Sequence, residues 1–253
     1  INVENGICSG VTLQDGEVIN ANKVVSGLDP NNTFIKLVGP SNLNPNLNTQ
    51  LNNIRYRGST VRIHFALNVL LEIKGVTKEQ MGTVFSISPS IEYLERASDS
   101  VKYGRLPDNP YVEFTIPSVI NPKFAPNGKH VLSATVQYAP YHLRGMNWSE
   151  ELKSQLKNNV VSVLENYIPN FSSMIESSSL LTPVDLESQF GLTEGNLNHG
   201  EMTLDQFMFM RPTISSAQYK SPIENLFLCG PGTHPGGGLH GTNGFNAAKI
   251  ILK

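Results

Sequence analysis

The spacing of apolar positions switches several times between a period of two and a helical period, and those switches outline the fold. Residues 59–69 alternate strictly, with Val61, Ile63, Phe65 and Leu67 on one face and Arg62, His64, Ala66 and Asn68 on the other, which predicts a long half-buried strand. Residues 83–87, 111–116 and 130–138 predict three more strands, and four strands without regular intervening helices point to an antiparallel sheet. Between the first two of these three, Ser88 is read as the cap of a helix with Ile91, Leu94, Ala97 and Val101 inward and Gly104 as its stop. Ser149 opens the clearest helix: Glu150 and Glu151 suit its positive end, and Leu152, Leu156, Val160, Val163, Leu164 and Tyr167 recur at helical spacing before Pro169.

Shorter signals frame these elements. Asp15-Gly16 between residues 11–14 and 17–20 predicts a hairpin with a two-residue loop. Asp29-Pro30 predicts a helix start with Phe34, Leu37 and Val38 as the inner face, and the Asn-, Pro- and Ser-rich stretch 39–53 reads as a domain crossing. Thr182-Pro183 with Asp185 predicts a short helix ending at Gly191. At the end of the chain, Leu226 to Cys229 reads as a strand and the residues from Phe245 onward as a helix.

The loop between them spends glycine at 230, 232, 236, 237, 238, 241 and 244. Glycine costs backbone entropy, and a loop of glycines leading into a helix N-terminus lets main-chain N–H groups reach a bound phosphate or electron-rich ring. The bland alternative is a turn that lets a helix pack tightly on a sheet. Residues 236–241 match G-x-G-x-x-G, yet the dinucleotide fingerprint needs its first glycine directly after the strand and an acidic residue about 20 positions on. Six residues intervene after Cys229 and the chain ends at Lys253, so that assignment is rejected.

Composition narrows the function. A net charge of −2 with 16% charged residues argues against a nucleic-acid partner. Cys8 and Cys229 make no disulfide framework, and Cys229 reads as a small core residue. No apolar run reaches membrane-spanning length and the N-terminus shows no signal pattern. A cytoplasmic location follows as the expectation, with peripheral membrane contact left open. An opening already strand-like, without Met, reads as the C-terminal part of something longer. There is no G-x-S-x-G, P-loop or C-x-x-C. His234 and His240 lack acidic or thiolate neighbours, so no metal is assigned. His64, Trp148 and the apolar stretch 206–212 are read as structural.

Two segments carry a family resemblance. Residues 224–241, Glu-Asn-Leu-Phe-Leu-Cys-Gly-Pro-Gly-Thr-His-Pro-Gly-Gly-Gly-Leu-His-Gly, with Asn246-Ala-Ala beyond, resemble the C-terminal flavin-binding signature of phytoene desaturase and carotenoid isomerase-related FAD oxidoreductases, in particular the pyridine nucleotide-disulfide oxidoreductase domain-containing branch. Residues 10–30 resemble that family's hairpin and "VVSNADP" strand, with Gly27-Leu28 in place of Asn-Ala; Thr182-Pro-Val-Asp-Leu-Glu and Arg211-Pro-Thr are weaker matches. The family's N-terminal Rossmann fingerprint is not in the chain.

The resemblance implies an α/β (mixed α+β) fold: the C-terminal portion of an FAD/NAD(P)-binding Rossmann-like domain from residues 1–50 and 207–253, and an antiparallel-sheet substrate domain from residues 51–206. It implies FAD as cofactor, with Gly230, Gly232 and Thr233 along its ribityl and pyrophosphate part. Gly237, Gly238, His240, Gly241, Thr242 and Asn243 would approach the isoalloxazine. The implied reaction moves a hydride between an apolar carotenoid- or isoprenoid-like substrate and flavin N5, with no acid or base assignable. The missing N-terminal half of the same protein is the implied partner, and the chain alone is expected to be inactive. An amine oxidase-like flavoenzyme and a cofactor-free lipid-binding or structural module are the alternatives.

Overall fold

The Asp15-Gly16 turn forms where the sequence predicts it, with a loop one residue longer. In the computed structural model, which describes residues 1–238 and 240–253, strands β1 (Asn2–Glu4), β2 (Ile7–Thr12) and β3 (Val18–Asn20) make an antiparallel sheet in that order. Leu13 N donates to Glu17 O at 2.8 Å and Gly16 N to Leu13 O at 3.1 Å, so Gln14, Asp15 and Gly16 all lie in the loop. A two-residue loop of the Asp-Gly type needs positive φ at both positions; only Gly16 has it, at +91°, the arrangement of a three-residue turn closed by a glycine bulge.

After β4 (Val24–Ser26), Asp29 caps the next helix as expected, its Oδ1 accepting from Asn32 N at 2.8 Å. The helix Asn31–Val38 is wound as a π-helix, closed by Gly39 N to Phe34 O at 3.0 Å. The wider turn buries Thr33, Phe34 and Val38 and leaves Leu37 45% exposed, which corrects its assignment to the inner face. The polar stretch that follows holds α1 (Pro45–Asn52), capped by Asn44 and burying Leu47 and Leu51. These two join Cys8, Phe34, Val38, Ile223, Leu226 and Leu228 in one core.

Residues 1–57 with 187–253 form one compact unit, and residues 58–186 a second with its own core. The second contains β5 (Thr60–Leu67), β6 (Phe85–Ile87), α2 (Ile91–Lys102), β7 (Tyr111–Thr115), α3 (Pro117–Ile120), β8 (His130–Gln137), α4 (Glu150–Glu165), α5 (Phe171–Met174) and β9 (Ile175–Leu181). Its five-stranded sheet runs β6-β7-β8-β5-β9, antiparallel at every pairing. The register Ile63 to Ala134 and Phe65 to Leu132 puts the fully buried Val61, Ile63, Phe65, Leu67, Leu132 and Ala134 on one face. Leu156, Val160, Val163 and Leu164 of α4 complete this core, and Ser149 caps the helix as predicted.

Two details of this unit differ from the sequence reading. The cap of α2 is Ser90, whose hydroxyl accepts from Tyr93 N at 3.1 Å; Ile91 is thereby the first residue of the helix, at its solvent end, and is 79% exposed. Strand β9 carries Ser177, Ser178 and Ser179 and has no apolar alternation to reveal it; it pairs with β5 through its backbone. Trp148 is structural, its indole donating to Pro140 O at 3.1 Å while the ring packs on the core.

α6 (Pro183–Phe190) is closed by a reciprocal cap: Thr182 N donates to Asp185 Oδ2 at 2.8 Å, and Asp185 N to the Thr182 hydroxyl at 3.1 Å. Strand β10 (Leu226–Leu228) then pairs in parallel with β4, and α7 (Thr242–Ile251) ends the chain. The fold is mixed α/β; among the described residues, parallel pairing of named strands is confined to β4 and β10. No described helix is long and apolar enough to cross a membrane.

Leu156 is fully buried, so Leu156→Ala is expected to cost about 2–5 kcal/mol through lost burial and the cavity left behind. Urea unfolding followed by Trp148, in the same unit, should show a lower midpoint at unchanged slope.

Candidate functional site

Strand β10 delivers the glycine loop. Cys229 N donates to Ser26 O at 2.8 Å, which extends the parallel pairing to the point where the loop begins. Gly230 follows at φ +87°, and a Cβ there would lie 2.9 Å from Gly27 O, so the close approach of the two segments requires glycine. Cys229 is half-buried and unpaired, and burial raises its thiol pKa; nothing here favours the thiolate a nucleophile needs.

The loop is braced from within. The buried Thr233 donates through its hydroxyl to Gly230 O at 2.8 Å. The buried Asn243, in the first turn of α7, donates through Nδ2 to Thr233 O at 3.0 Å and His234 O at 3.2 Å. Tyr219 donates its hydroxyl to His234 O at 2.7 Å and accepts from Asn246 Nδ2 at 2.9 Å. The side chains of Thr233 and Asn243 are therefore committed to tying loop to helix.

A second segment packs on the loop. A Cβ at Gly237 would collide with Asn198 Oδ1, and one at Gly236 would lie 2.8 Å from Met202 Cε and 3.6 Å from Phe207. A Cβ at Gly232 would lie 3.0 Å from Pro30 Cδ and 3.3 Å from His199 Cβ. The buried Arg211 holds this segment: Nη1 donates to Glu201 O at 3.0 Å and Gln206 O at 3.1 Å, and Nη2 to Asn198 O at 2.5 Å and Gly200 O at 3.2 Å. Burial lowers the Arg211 pKa to about 10, so it stays charged at neutral pH. The buried Asp29 accepts from Asn32 N at 2.8 Å, Thr193 N at 3.1 Å and the Thr193 hydroxyl at 2.9 Å. Burial, then Asp29, raises the Tyr56 pKa, keeping it a neutral phenol that accepts from Asn31 N at 3.0 Å.

The sequence-predicted residues thus divide. Gly230, Gly232, Thr233 and Gly237 are surrounded by the chain's own atoms, and Gly238 lies against the ring of His240. Gly241, at φ +68°, is the N-cap of α7 and offers no side chain to the helix's first N–H groups; among the described residues, a Cβ there or at Gly244 would have nothing within 4 Å. The exposed His240 accepts from Thr242 N through Nδ1 at 3.1 Å. The first turn of α7 is where an electron-rich group could meet backbone donors. No group of His, Cys, Asp and Glu side chains suited to a metal ion occurs among the described residues.

Residues that the sequence reading assigned no part in the site complete this region. A groove of about 550 Å³ runs along Ile54, Arg55, Gln206, Met210, Pro212 and Ile214. Ile54, Gln206, Met210 and Pro212 also line a small cavity that reaches His199 and Gly232. Asn198, Met202 and Arg211 carry no local signal beyond Arg211-Pro212, because their role lies in contacts far along the chain.

No family model matches the chain. It is 35% identical to pyridine nucleotide-disulfide oxidoreductase domain-containing protein 2 of Mus musculus, over 98% of this chain and 44% of that protein. It is 26% identical to a lycopene-forming phytoene desaturase of a Paracoccus species, over 96% of this chain and 46% of that protein. A crystal structure of an oxidoreductase from Methanosarcina mazei superposes with a TM-score of 0.58 at 16% identity, over all of this chain and 48% of that one, a likeness of fold. The chain spans a little under half the length of these relatives. It is distantly related to pyridine nucleotide-disulfide oxidoreductase and phytoene-desaturase-like proteins, and its general kinship is with oxidoreductases.

His199 gives the region a pH dependence. Its pKa is lowered, chiefly by burial, with Arg211 adding to the effect and Asp29 opposing it. The unfolded imidazole, near 6.5, takes up a proton before the folded one, so stability is retained above that pH and lost as pH falls below it. Burial lowers His64 and His130 in the same direction. Urea midpoints between pH 7.5 and 5 should fall with acidification, and His199→Gln should flatten the fall without abolishing it.

Proposed function

We propose that this chain is the C-terminal part of an FAD-dependent oxidoreductase of desaturase, dehydrogenase or isomerase type. In this reading residues 1–57 with 187–253 contribute to a Rossmann-like cofactor domain, and the antiparallel sheet of residues 58–186 belongs to a substrate domain. The observation that carries it is the start of α7: an N-cap, Gly241, without a side chain, a first N–H held by His240 Nδ1 alone, and exposed glycines at 241 and 244, following a loop fixed by Thr233, Asn243 and Tyr219. Kinship with oxidoreductases of about twice the length supports it further.

The residues fit such a cofactor unevenly. Gly241, Thr242, Asn243 and His240 would hold the polar edge of the ring system, where backbone N–H groups and the helix dipole favour negative charge. The backbone of Gly230, Gly232 and Thr233 would lie along the ribityl and pyrophosphate part, and that of Gly237 and Gly238 would approach the ring system. Bound FAD would supply the hydride acceptor for an apolar, carotenoid- or isoprenoid-like substrate. The remaining FAD contacts fall to the N-terminal half that the relatives carry. A cofactor-free module is the rival reading, favoured by the packing of Asn198 and Met202 on Gly237 and Gly236.

Gly244→Leu separates the two. Gly244 is exposed and a Cβ there would meet no described atom within 4 Å, and leucine improves helix propensity by roughly several tenths of a kcal/mol, so thermal stability should hold. In a form extended N-terminally by the half its relatives carry, flavin absorbance and release on denaturation should be present and lost in Gly244→Leu. Absence of flavin from the extended form, or full retention in the variant, would overturn the assignment.

A further inference from the structure

In the second unit, two arginines that form no ion pair among the described residues line one groove. The groove, about 650 Å³, has Arg105, Arg144 and Asp108 as its charged residues and Leu106, Leu143 and Met146 as apolar ones. Arg144 N donates to Gly104 O at 2.9 Å, which fastens the segment bearing Arg144 beside the residue preceding Arg105. Gly104 has φ +61° and a Cβ there would lie 2.8 Å from Arg144 N, so this approach also depends on glycine. Four other cations of the unit are matched, Arg96 with Glu92, Lys102 with Asp99, Lys129 with Glu176, and Lys153 with Glu150 and Asp185, and Arg62 donates to the hydroxyl of Ser133 at 3.0 Å. Neither Arg105 nor Arg144 forms an ion pair among the described residues; Arg105 lies over the Tyr103 ring at 6.0 Å.

Two like charges beside one groove repel each other, and one carboxylate leaves the wall with a net positive charge. A guanidinium is a planar fork matched to an anionic oxygen head, while the leucines and Met146 offer contact to an apolar tail. Met146 is 55% exposed, which leaves apolar surface for such a tail to cover. We infer that this groove binds a long-chain carboxylate, its head held by Arg105 and Arg144 and its tail along Leu106, Leu143 and Met146. The inference is independent of the flavin reading, because every residue it uses lies in the second unit.

The single tryptophan provides the test: Trp148 is half-buried, two residues beyond Met146 and four before Leu152, which also lines the groove. Dodecanoate titrated into the chain should change Trp148 fluorescence saturably, with calorimetric titration as a readout independent of the tryptophan. Dodecan-1-ol, which keeps the tail, and acetate, which keeps the charge, should not saturate at the same concentrations. Arg105→Ala with Arg144→Ala, both at exposed positions, should keep the urea midpoint and weaken dodecanoate binding about a hundredfold, roughly tenfold for each charge-assisted contact. Absence of saturable binding by both methods, equal affinity in the double variant, or equal binding of the alcohol would overturn the proposal.

Discussion

A buried guanidinium, paired with no carboxylate among the described residues, organises the surroundings of the glycine loop. Arg211 is 3% exposed, and taking an ion out of water costs several kcal/mol unless dipoles replace the lost hydration. Four backbone carbonyls, from Asn198, Gly200, Glu201 and Gln206, replace it. The dependence is mutual: the charge stays buried only while residues 198–206 curl around it, and that curl places Asn198 and Met202 against Gly237 and Gly236. On the outer side Arg55 meets Asp205 at 2.6 Å, and both Arg55 and Arg57 pair with Glu201. Those surface pairs contribute little individually. The buried charge is what makes opening the segment expensive.

The glycine loop consequently serves two purposes that composition merges. At Gly230, Gly236 and Gly237 the missing Cβ makes room for other parts of this chain; at Gly241 and Gly244 it makes room for none of the described residues. Counting glycines alone overstates the case for a ligand, because a tightly packed turn spends them equally well. The start of α7 is a narrower and stronger basis for a cofactor reading, since its N-cap glycine supplies no side chain, His240 takes only the first N–H, and the helix dipole favours an electron-rich partner.

How much was legible follows from the range of the forces involved. The alternation of β5 and β8, the caps at Asp29, Ser149 and Thr182 and the stripe of α4 as far as Leu164 are local, and each appears in the structure as read. Tyr167, read as the end of that stripe, lies past the helix and is 42% exposed. The π-turns that expose Leu37, the serine-rich β9 and the two leucines that anchor α1 depend on partners distant in sequence or on backbone pairing that side chains do not announce. The same division holds in the candidate site. The loop and the helix start are visible as a motif, whereas Asn198, Met202 and Arg211 matter through contacts at separations of 5 to about 40 residues, too varied for any local pattern.

The long-range contact that sets the loop's course is the pairing of β4 with β10, which joins residues some 200 positions apart. Its register puts Leu228 beside Ser26, and Cys229 N on Ser26 O carries the pairing one residue further. Gly230 must then turn away directly over Gly27 O, where no side chain fits. From that point the loop has little freedom, because Thr233 bonds back to Gly230 and Asn243 bonds back to Thr233. The start of α7 is therefore positioned by a parallel strand pair at one end of a chain of short hydrogen bonds. The 129 residues of the second unit lie between the two strands in sequence and supply none of those bonds, so changes within that unit that leave β4 and β10 paired should leave the loop intact.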